Sequence, residues 1–255
     1  MKKFIEITDL KKVFVSGNEE IHAFVPASIS INSGEFVSVL GPSGCGKSTL
    51  MLMIAGLLDS TSGKVEFEGK LVKEPKTDIG IMFQENTLVP WRTIKANIEL
   101  QLELRGLKVK DFQNKIFNIL KSVSLDDFAD RFSNELSGGM QQRAAFCQAM
   151  IHDPKIILLD EPLGKLDAMT REKIRADFQK LWMVKKPTVI FVTHSIEEAV
   201  QLSSRVILIT PRPGKIDREI KIDLPYPRDL NVKKSQKFVE YLNSIHEVFH
   251  KYGVI

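Results

Sequence analysis

The stretch Phe36-Val37-Ser38-Val39-Leu40-Gly41-Pro42-Ser43-Gly44-Cys45-Gly46-Lys47-Ser48-Thr49 decides how the rest of the chain is read. Phe36 to Leu40 is a short, β-rich apolar run and reads as a buried strand. It leads into Gly41, Gly46, Lys47 and Ser48, which satisfy the G-x-x-x-x-G-K-[ST] pattern, and the apolar window Leu50 to Leu58 follows as a buried helix. Glycines at 41, 44 and 46 let the backbone curl so that consecutive N–H groups point inward, and the helix adds the positive end of its dipole to that anion cradle. Gly41, Pro42, Ser43, Gly44, Cys45, Gly46, Lys47, Ser48 and Thr49 are therefore candidate nucleotide-binding residues. Lys47 would neutralise the β and γ phosphates, and Ser48 would offer its hydroxyl to Mg2+.

Outward from this loop, Ile79 to Phe83, Ile156 to Leu159, Thr188 to Val192 and Val206 to Thr210 are further short apolar runs bounded by turn or polar residues. They predict a largely parallel sheet. Phe4 to Thr8 and Lys64 to Phe67 carry polar residues on one face and predict a smaller antiparallel layer. Between about Asn86 and His152 the strand signals vanish. Helical spacing takes over through Ile94, Ile98 and Leu102, then Phe112, Ile116, Ile119 and Leu120. After Pro225 and Pro227, the spacing of Phe238, Leu242, Ile245 and Phe249 predicts an amphipathic C-terminal helix docked on the core.

Bulk properties narrow the function classes. With 255 residues, 43% hydrophobic and 27% charged, the chain has globular composition and enough length for one substantial core. Its two cysteines, Cys45 and Cys147, suggest reduced thiols rather than a disulfide framework. Lys2 and Lys3 are followed at once by Glu6 and Asp9, so no signal-peptide apolar region forms and a cytoplasmic location is expected. The window Leu50 to Leu58 is about half of the ~20 residues a bilayer span needs, so no transmembrane segment is expected. A net charge of +4, spread among acids, gives little support to nucleic-acid binding.

A second acidic element supports the nucleotide reading. Ile156-Ile157-Leu158-Leu159-Asp160-Glu161-Pro162 puts two acids at the end of a buried strand, where a lone carboxylate is expensive unless it serves a cation. Asp160 is the candidate Mg2+ ligand, acting indirectly, and Glu161 is placed to orient or deprotonate an attacking water. Ser137, Gly138 and Gly139, within Leu136-Ser137-Gly138-Gly139-Met140-Gln141-Gln142-Arg143, precede a helix running to about His152. They present free N–H groups to an anion.

That last segment resembles the signature of the ABC ATPases. The resemblance extends to Gln84 after a strand, Leu166 and Asp167 after the acids, and His194 at the end of the next strand. It implies an α/β fold of the P-loop NTPase, ABC type, with a mainly parallel core sheet, an antiparallel β flank and a helical subdomain. The whole chain, 1–255, is then one ABC ATPase domain. The core and β flank fall at about 1–85 and 153–224, the helical subdomain at about 86–152 and a C-terminal helical extension at about 225–255. The resemblance further implies ATP as substrate with Mg2+, and a head-to-tail dimer in which Ser137, Gly138, Gly139 and Gln141 address the γ phosphate on a second ATPase subunit, an identical copy being the simpler expectation. His194 is implied to contact the γ phosphate, Asp167 to bridge the dimer, and Gln84 to sense Mg2+ or the water. Phe14 lies where the family has an aromatic that stacks on adenine, the alternative being a packing residue of the β flank.

Thr87 to Thr93 (TLVPWRT), Ile209 to Gly214 (ITPRPG) and Leu224 to Arg228 (LPYPR) resemble the nitrate, sulfonate, taurine and bicarbonate importer branch of that family. The resemblance implies integral permease subunits, an extracytoplasmic solute-binding protein, and a peripheral position on the cytoplasmic face of the cell membrane. Pro90-Trp91 either receives a helix of the permease or punctuates a loop and fills a pocket. Leu163 and Lys165 stand where Phe and Ala are common in the branch, and Gln148 where Arg is frequent. The rival class is a soluble ABC ATPase working a clamp on ribosomes or DNA. Such proteins usually carry tandem domains or a long coiled-coil insertion, and this sequence shows neither.

Overall fold

The computed structural model describes residues 3–17, 19–164 and 166–254; Lys2 and Lys165 lie outside them. In chain order the elements are β1 (Lys3–Ser16), β2 (Glu19–Asn32), β3 (Phe36–Leu40), α1 (Lys47–Ile54), β4 (Ser62–Phe67), β5 (Lys70–Leu71), β6 (Ile79–Met82), α2 (Ile94–Glu103) and α3 (Gln113–Ser122). They continue with α4 (Gly138–Met150), β7 (Ile156–Asp160), α5 (Ala168–Lys185), β8 (Thr188–Thr193), α6 (Ile196–Leu202), β9 (Arg205–Ile209), β10 (Ile216–Lys221), α7 (Leu230–Lys233) and α8 (Gln236–Lys251). Two compact units result, one made of residues 1–76 and 186–255, the other of residues 77–185.

The first unit has two layers of strands. In the antiparallel sheet the order is β2-β1-β4-β5. Its inner face alternates along the sequence: Ile5, Ile7, Ile29, Ile31, Val65 and Phe67 are buried while their neighbours point outward. The parallel part sets β3 between β8 and β9, with β10 antiparallel on β9. Every residue of β3 and β8 is buried, as expected of parallel strands covered on both faces. Helix α8 turns Phe238, Ile245, Val248 and Phe249 onto Ala199 and Val200 of α6 and Val206 and Leu208 of β9, in one apolar cluster.

In the second unit β6 and β7 pair in parallel. Gly80 is there because a Cβ would overlap the Ala149 carbonyl of α4, so only glycine lets that helix lie against β6. Phe146 of α4 stacks on Phe178 of α5 with ring centroids 3.9 Å apart. Thr93 caps α2 by accepting from the Ala96 N–H at 3.2 Å.

Several elements differ from the sequence expectations. Helix α1 stops at Ile54 rather than Leu58, because Gly56 turns at φ 71° and a Cβ there would sit 2.5 Å from the Glu74 carbonyl oxygen. Strand β1 runs on to Ser16, and β2, unforeseen, pairs with it through several register shifts. Phe112 ends a 3-10 turn, and α3 begins one residue later. Among the described residues no helix is long and apolar enough to cross a membrane.

Candidate nucleotide-handling site

In the first unit the strand register places the loop. Leu40 pairs with Thr193 on one side and Leu208 on the other, so Gly41 and His194 leave the carboxyl ends of adjacent parallel strands. That edge is where open α/β sheets bind ligands. A Cβ on Gly46 would lie 2.5 Å from the Ala23 carbonyl oxygen, and its φ of 95° already disfavours other residues. A Cβ on Gly41 would lie 2.8 Å from the Ile209 carbonyl oxygen. The loop is thus clamped from β2 and β9 at its two outer glycines.

Lys47 is 4% exposed, and its Nζ donates to the Gly41 and Pro42 carbonyl oxygens at 2.9 and 2.8 Å. Those bonds hold the ammonium across the loop that a phosphate would occupy. The N-cap of α1 is Gly46, which has no side chain to cap it, and no acid sits in the first turn, so the positive end of the helix dipole suits an anion. Ser43, Gly44 and Ser48 are exposed, Pro42, Gly46 and Thr49 half-buried, and Cys45 buried, so Cys45 can offer a phosphate only its backbone. A cradle that a Cβ would fill, a glycine-capped helix start without acids and a held ammonium together fit a polyphosphate. His194 is exposed at the end of β8. Phe14, 39% exposed, pairs with Ile21 of β2, two residues before Ala23, and the Lys12 ammonium lies 5.1 Å from its ring centroid.

The second unit repeats the device. Met82 of β6 pairs with Leu159 of β7, so Gln84 and Glu161, each two residues further on, leave neighbouring strand ends. Asp160 is 8% exposed. Glu161 sits at φ 43°, a left-handed conformation that costs a non-glycine residue about 1 kcal/mol and is a form of strain concentrated at functional sites.

Ser137 caps α4, its hydroxyl accepting from the Met140 N–H at 3.4 Å. Gly138 and Gly139 open that helix, and a Cβ on Gly139 would overlap Thr170 of α5. Gln141 turns its amide back on the signature loop, donating to the Ser133 and Leu136 carbonyls at 2.7 and 3.2 Å. It accepts from Asn86 at 2.8 Å. Asn86 thus ties the segment after Gln84 to the signature, a contact between positions too far apart in sequence to be read there. Asp167 is exposed and accepts from the Thr170 N–H at 3.0 Å. Thr170's side-chain and backbone hydrogen bonds hold its carboxyl below the usual carboxylate range.

Trp91 is 78% exposed, so it fills no pocket in this chain. Its loop is nonetheless rigidly held: buried Asn97 donates to the Val89, Arg92 and Thr93 carbonyls at 3.0 to 3.1 Å and accepts from the Val89 N–H at 2.6 Å. Gln148 in turn donates to the Asn97 carbonyl at 2.8 Å, which gives the departure from Arg a structural role. His246 to His250 reads HEVFH, the helix pattern of a zinc site. Among the described residues, however, no three His, Cys, Asp or Glu side chains are grouped to hold a metal.

Residues 24–164 match the family model described as ABC transporter. An uncharacterized ABC transporter ATP-binding protein of Methanocaldococcus jannaschii is 43% identical over 245 residues, 96% of this chain and 91% of that protein. An aliphatic sulfonates import ATP-binding protein of Bacillus cereus is 39% identical over 251 residues, 98% of each chain. A taurine import ATP-binding protein of Jannaschia sp. is 42% identical over 229 residues, 88% of this chain and 85% of that protein. Among solved structures, a dimeric post-hydrolysis ATP-binding cassette bound to ADP and Pi superimposes with a TM-score of 0.75. It is 34% identical and covers 86% of this chain and 98% of that one. The chain therefore belongs to the ABC transporter family, as a P-loop ATPase of its cassette type.

Proposed function

We propose that this chain is the ATP-hydrolysing subunit of an importer for a small anionic solute such as a sulfonate, taurine, nitrate or bicarbonate. It works as a homodimer beneath integral permease subunits at the cytoplasmic face of the membrane, and an extracytoplasmic protein delivers the solute. The observation that carries the ATPase half of this reading is the strand register that sets the phosphate loop beside His194 and Gln84 beside Glu161. The solute class is supported by the sulfonate and taurine relatives, which align over most of the chain.

In this reading Gly41 to Thr49 wrap the phosphates and Lys47 exchanges its carbonyl partners for β and γ phosphate oxygens. Phe14 stacks on adenine. Ser48 and Asp160, with Gln84, would hold Mg2+, which neutralises phosphate charge when bound. Glu161 orients the attacking water and accepts its proton, and His194 contacts the γ phosphate. Ser137, Gly138 and Gly139 direct the N–H groups of α4 at the γ phosphate on the second subunit, Gln141, expected to address that phosphate, instead holds the signature loop through Ser133 and Leu136, and Asp167 bridges the pair. Closure of the two subunits on ATP and reopening after phosphate release would drive the permease. Trp91, exposed on a loop fixed by Asn97, makes a suitable anchor for a permease helix.

The test is reconstitution of the chain with its permease in vesicles. Hydrolysis that requires the permease and rises with solute-loaded receptor is expected. Stimulation by ribosomes or DNA, with none by the permease, would overturn the transport reading and leave the ATPase chemistry standing.

A further inference from the structure

The turn that carries His194 is built from a relay of three side chains. Ser195 caps α6, its hydroxyl accepting from the Glu198 N–H at 3.3 Å. Ser195-Ile196-Glu197-Glu198 has the spacing of a capping box, in which the Glu carboxylate would reach back to the N–H of the cap residue. Here it does not. The Glu198 carboxylate accepts instead from the Thr193 hydroxyl at 2.7 Å, and the Ser195 N–H donates to that same hydroxyl oxygen at 3.0 Å. Thr193 is inserted into the box, and His194 lies between its two anchored neighbours.

The chemistry of the groups sets the direction of the relay. The Ser195 N–H occupies one lone pair of the Thr193 hydroxyl oxygen, and the hydroxyl's single proton is donated to the Glu198 carboxylate. Thr193 is 1% and Glu198 5% exposed, so water competes poorly for either group. A buried, well-formed hydrogen bond of this kind is costly to break. Thr193 is also the strand residue that pairs with Leu40, immediately before the phosphate loop. One hydroxyl therefore links the strand register of the loop, the N-terminus of α6 and the backbone of His194.

We propose that Thr193 and Glu198 are positioning residues for His194: Glu198 orients the Thr193 hydroxyl, which holds the 193–195 turn so that the imidazole meets the γ phosphate. The proposal rests on His194 being the γ-phosphate contact. Neither residue need touch the nucleotide.

The test measures single-turnover ATP hydrolysis and ATP affinity for the full chain assembled with its permease. Thr193→Val keeps the shape of the side chain and removes the hydroxyl. It should lower kcat by about tenfold to 100-fold, the range produced by misplacing a reacting group, while ATP affinity stays within about twofold. Thr193→Ser restores the hydroxyl and should recover kcat to within about threefold of the parent. Glu198→Gln keeps an acceptor but loses its charge and should fall between the two. In a His194→Ala background, Thr193→Val should change the residual rate by less than about twofold, because the residue it positions is gone. A merely structural role would instead multiply the two losses, or lower affinity and kcat together. Parental kcat in Thr193→Val, or multiplicative losses in the double variant, would overturn the proposal. Full turnover in His194→Ala alone would overturn the His194 reading itself, whatever Thr193 does.

Discussion

Arg228, from the LPYPR segment, should prove to be a main fastening of the C-terminal region. It is 1% exposed. Nη1 donates to the Val200 and Ser203 carbonyls at 2.7 and 2.6 Å, at the C-terminal end of α6. Nη2 donates to Leu224 at 3.1 Å and Ile222 at 3.3 Å, and the guanidinium carbon lies 4.2 Å from the Tyr226 ring centroid. Burial lowers its pKa from arginine's usual value, which signals that desolving this cation offsets part of what its bonds contribute. The two short bonds are worth about 1.5–3 kcal/mol each before that offset, and the longer ones add little. In Arg228→Met the carbonyls stay buried and lose their donors, so we expect a net loss of about 3 kcal/mol. At roughly 2–4 °C per kcal/mol for a chain of this size, the melting temperature should fall by about 6–12 °C. Arg228→Lys keeps the charge but not the planar fork, and should lose about half as much. Thermal unfolding by calorimetry reads the shift, and hydrogen exchange should show faster opening of residues 199–203. A variant melting within about 2 °C of the parent would refute this reasoning.

Glu161→Gln should bind ATP and accumulate as a dimer, with turnover reduced by at least about 100-fold, the scale of a lost general base; gel filtration with ATP and a phosphate-release assay read both. Phe14→Ala should weaken ATP binding by about twofold to tenfold, from the ring's contribution of about 0.5–1.5 kcal/mol, and spare the fold; unchanged affinity by calorimetry would make Phe14 a packing residue. His152 gives a pH dependence: burial first, then the nearby Arg105 guanidinium, lowers its pKa from 6.5 to about 4. The unfolded chain therefore binds the extra proton between those values, so the stability is fully present above pH 6.5 and is lost as pH falls toward 4. Discounted for partial exposure, the effect should be about 1–2 kcal/mol, and His152→Asn should flatten that part of the stability profile measured by denaturant titration.

Contiguity decided what could be read from sequence. Strands β3, β7 and β8 are buried on both faces and so appear as unbroken apolar runs. The loop after β3 and the acids of β7 follow directly from them. Strand β2 was hidden because Pro26 interrupts it and register shifts bend its pairing. Helix α5 was hidden because Ile174, Phe178 and Trp182 form a narrow stripe among many charges. At the site, residue identities were legible and their supports were not: Asn86 meets Gln141 across 55 positions. The Thr193 hydroxyl has no signature of its own, being one more β-branched residue in a strand.

Two of the segments that resemble the importer branch, ITPRPG and LPYPR, belong to the first unit and pack within it. Gly214 of ITPRPG lies against the phosphate loop, where a Cβ would overlap the Cys45 carbonyl oxygen. Its own carbonyl accepts from the Val25 N–H at 3.0 Å. Arg228 of LPYPR fastens the end of α6 that lies opposite Ser195 and the His194 turn. Both segments thus brace elements that carry phosphate-handling residues, one at the loop and one through the helix. The contacts of both segments within the chain give their shared pattern with the branch a structural role. The exposed Trp91 loop is different: its rigidity is internal, through Asn97, and its large apolar surface is turned outward. Of the branch-marking segments, it is the one whose chemistry calls for something beyond this chain.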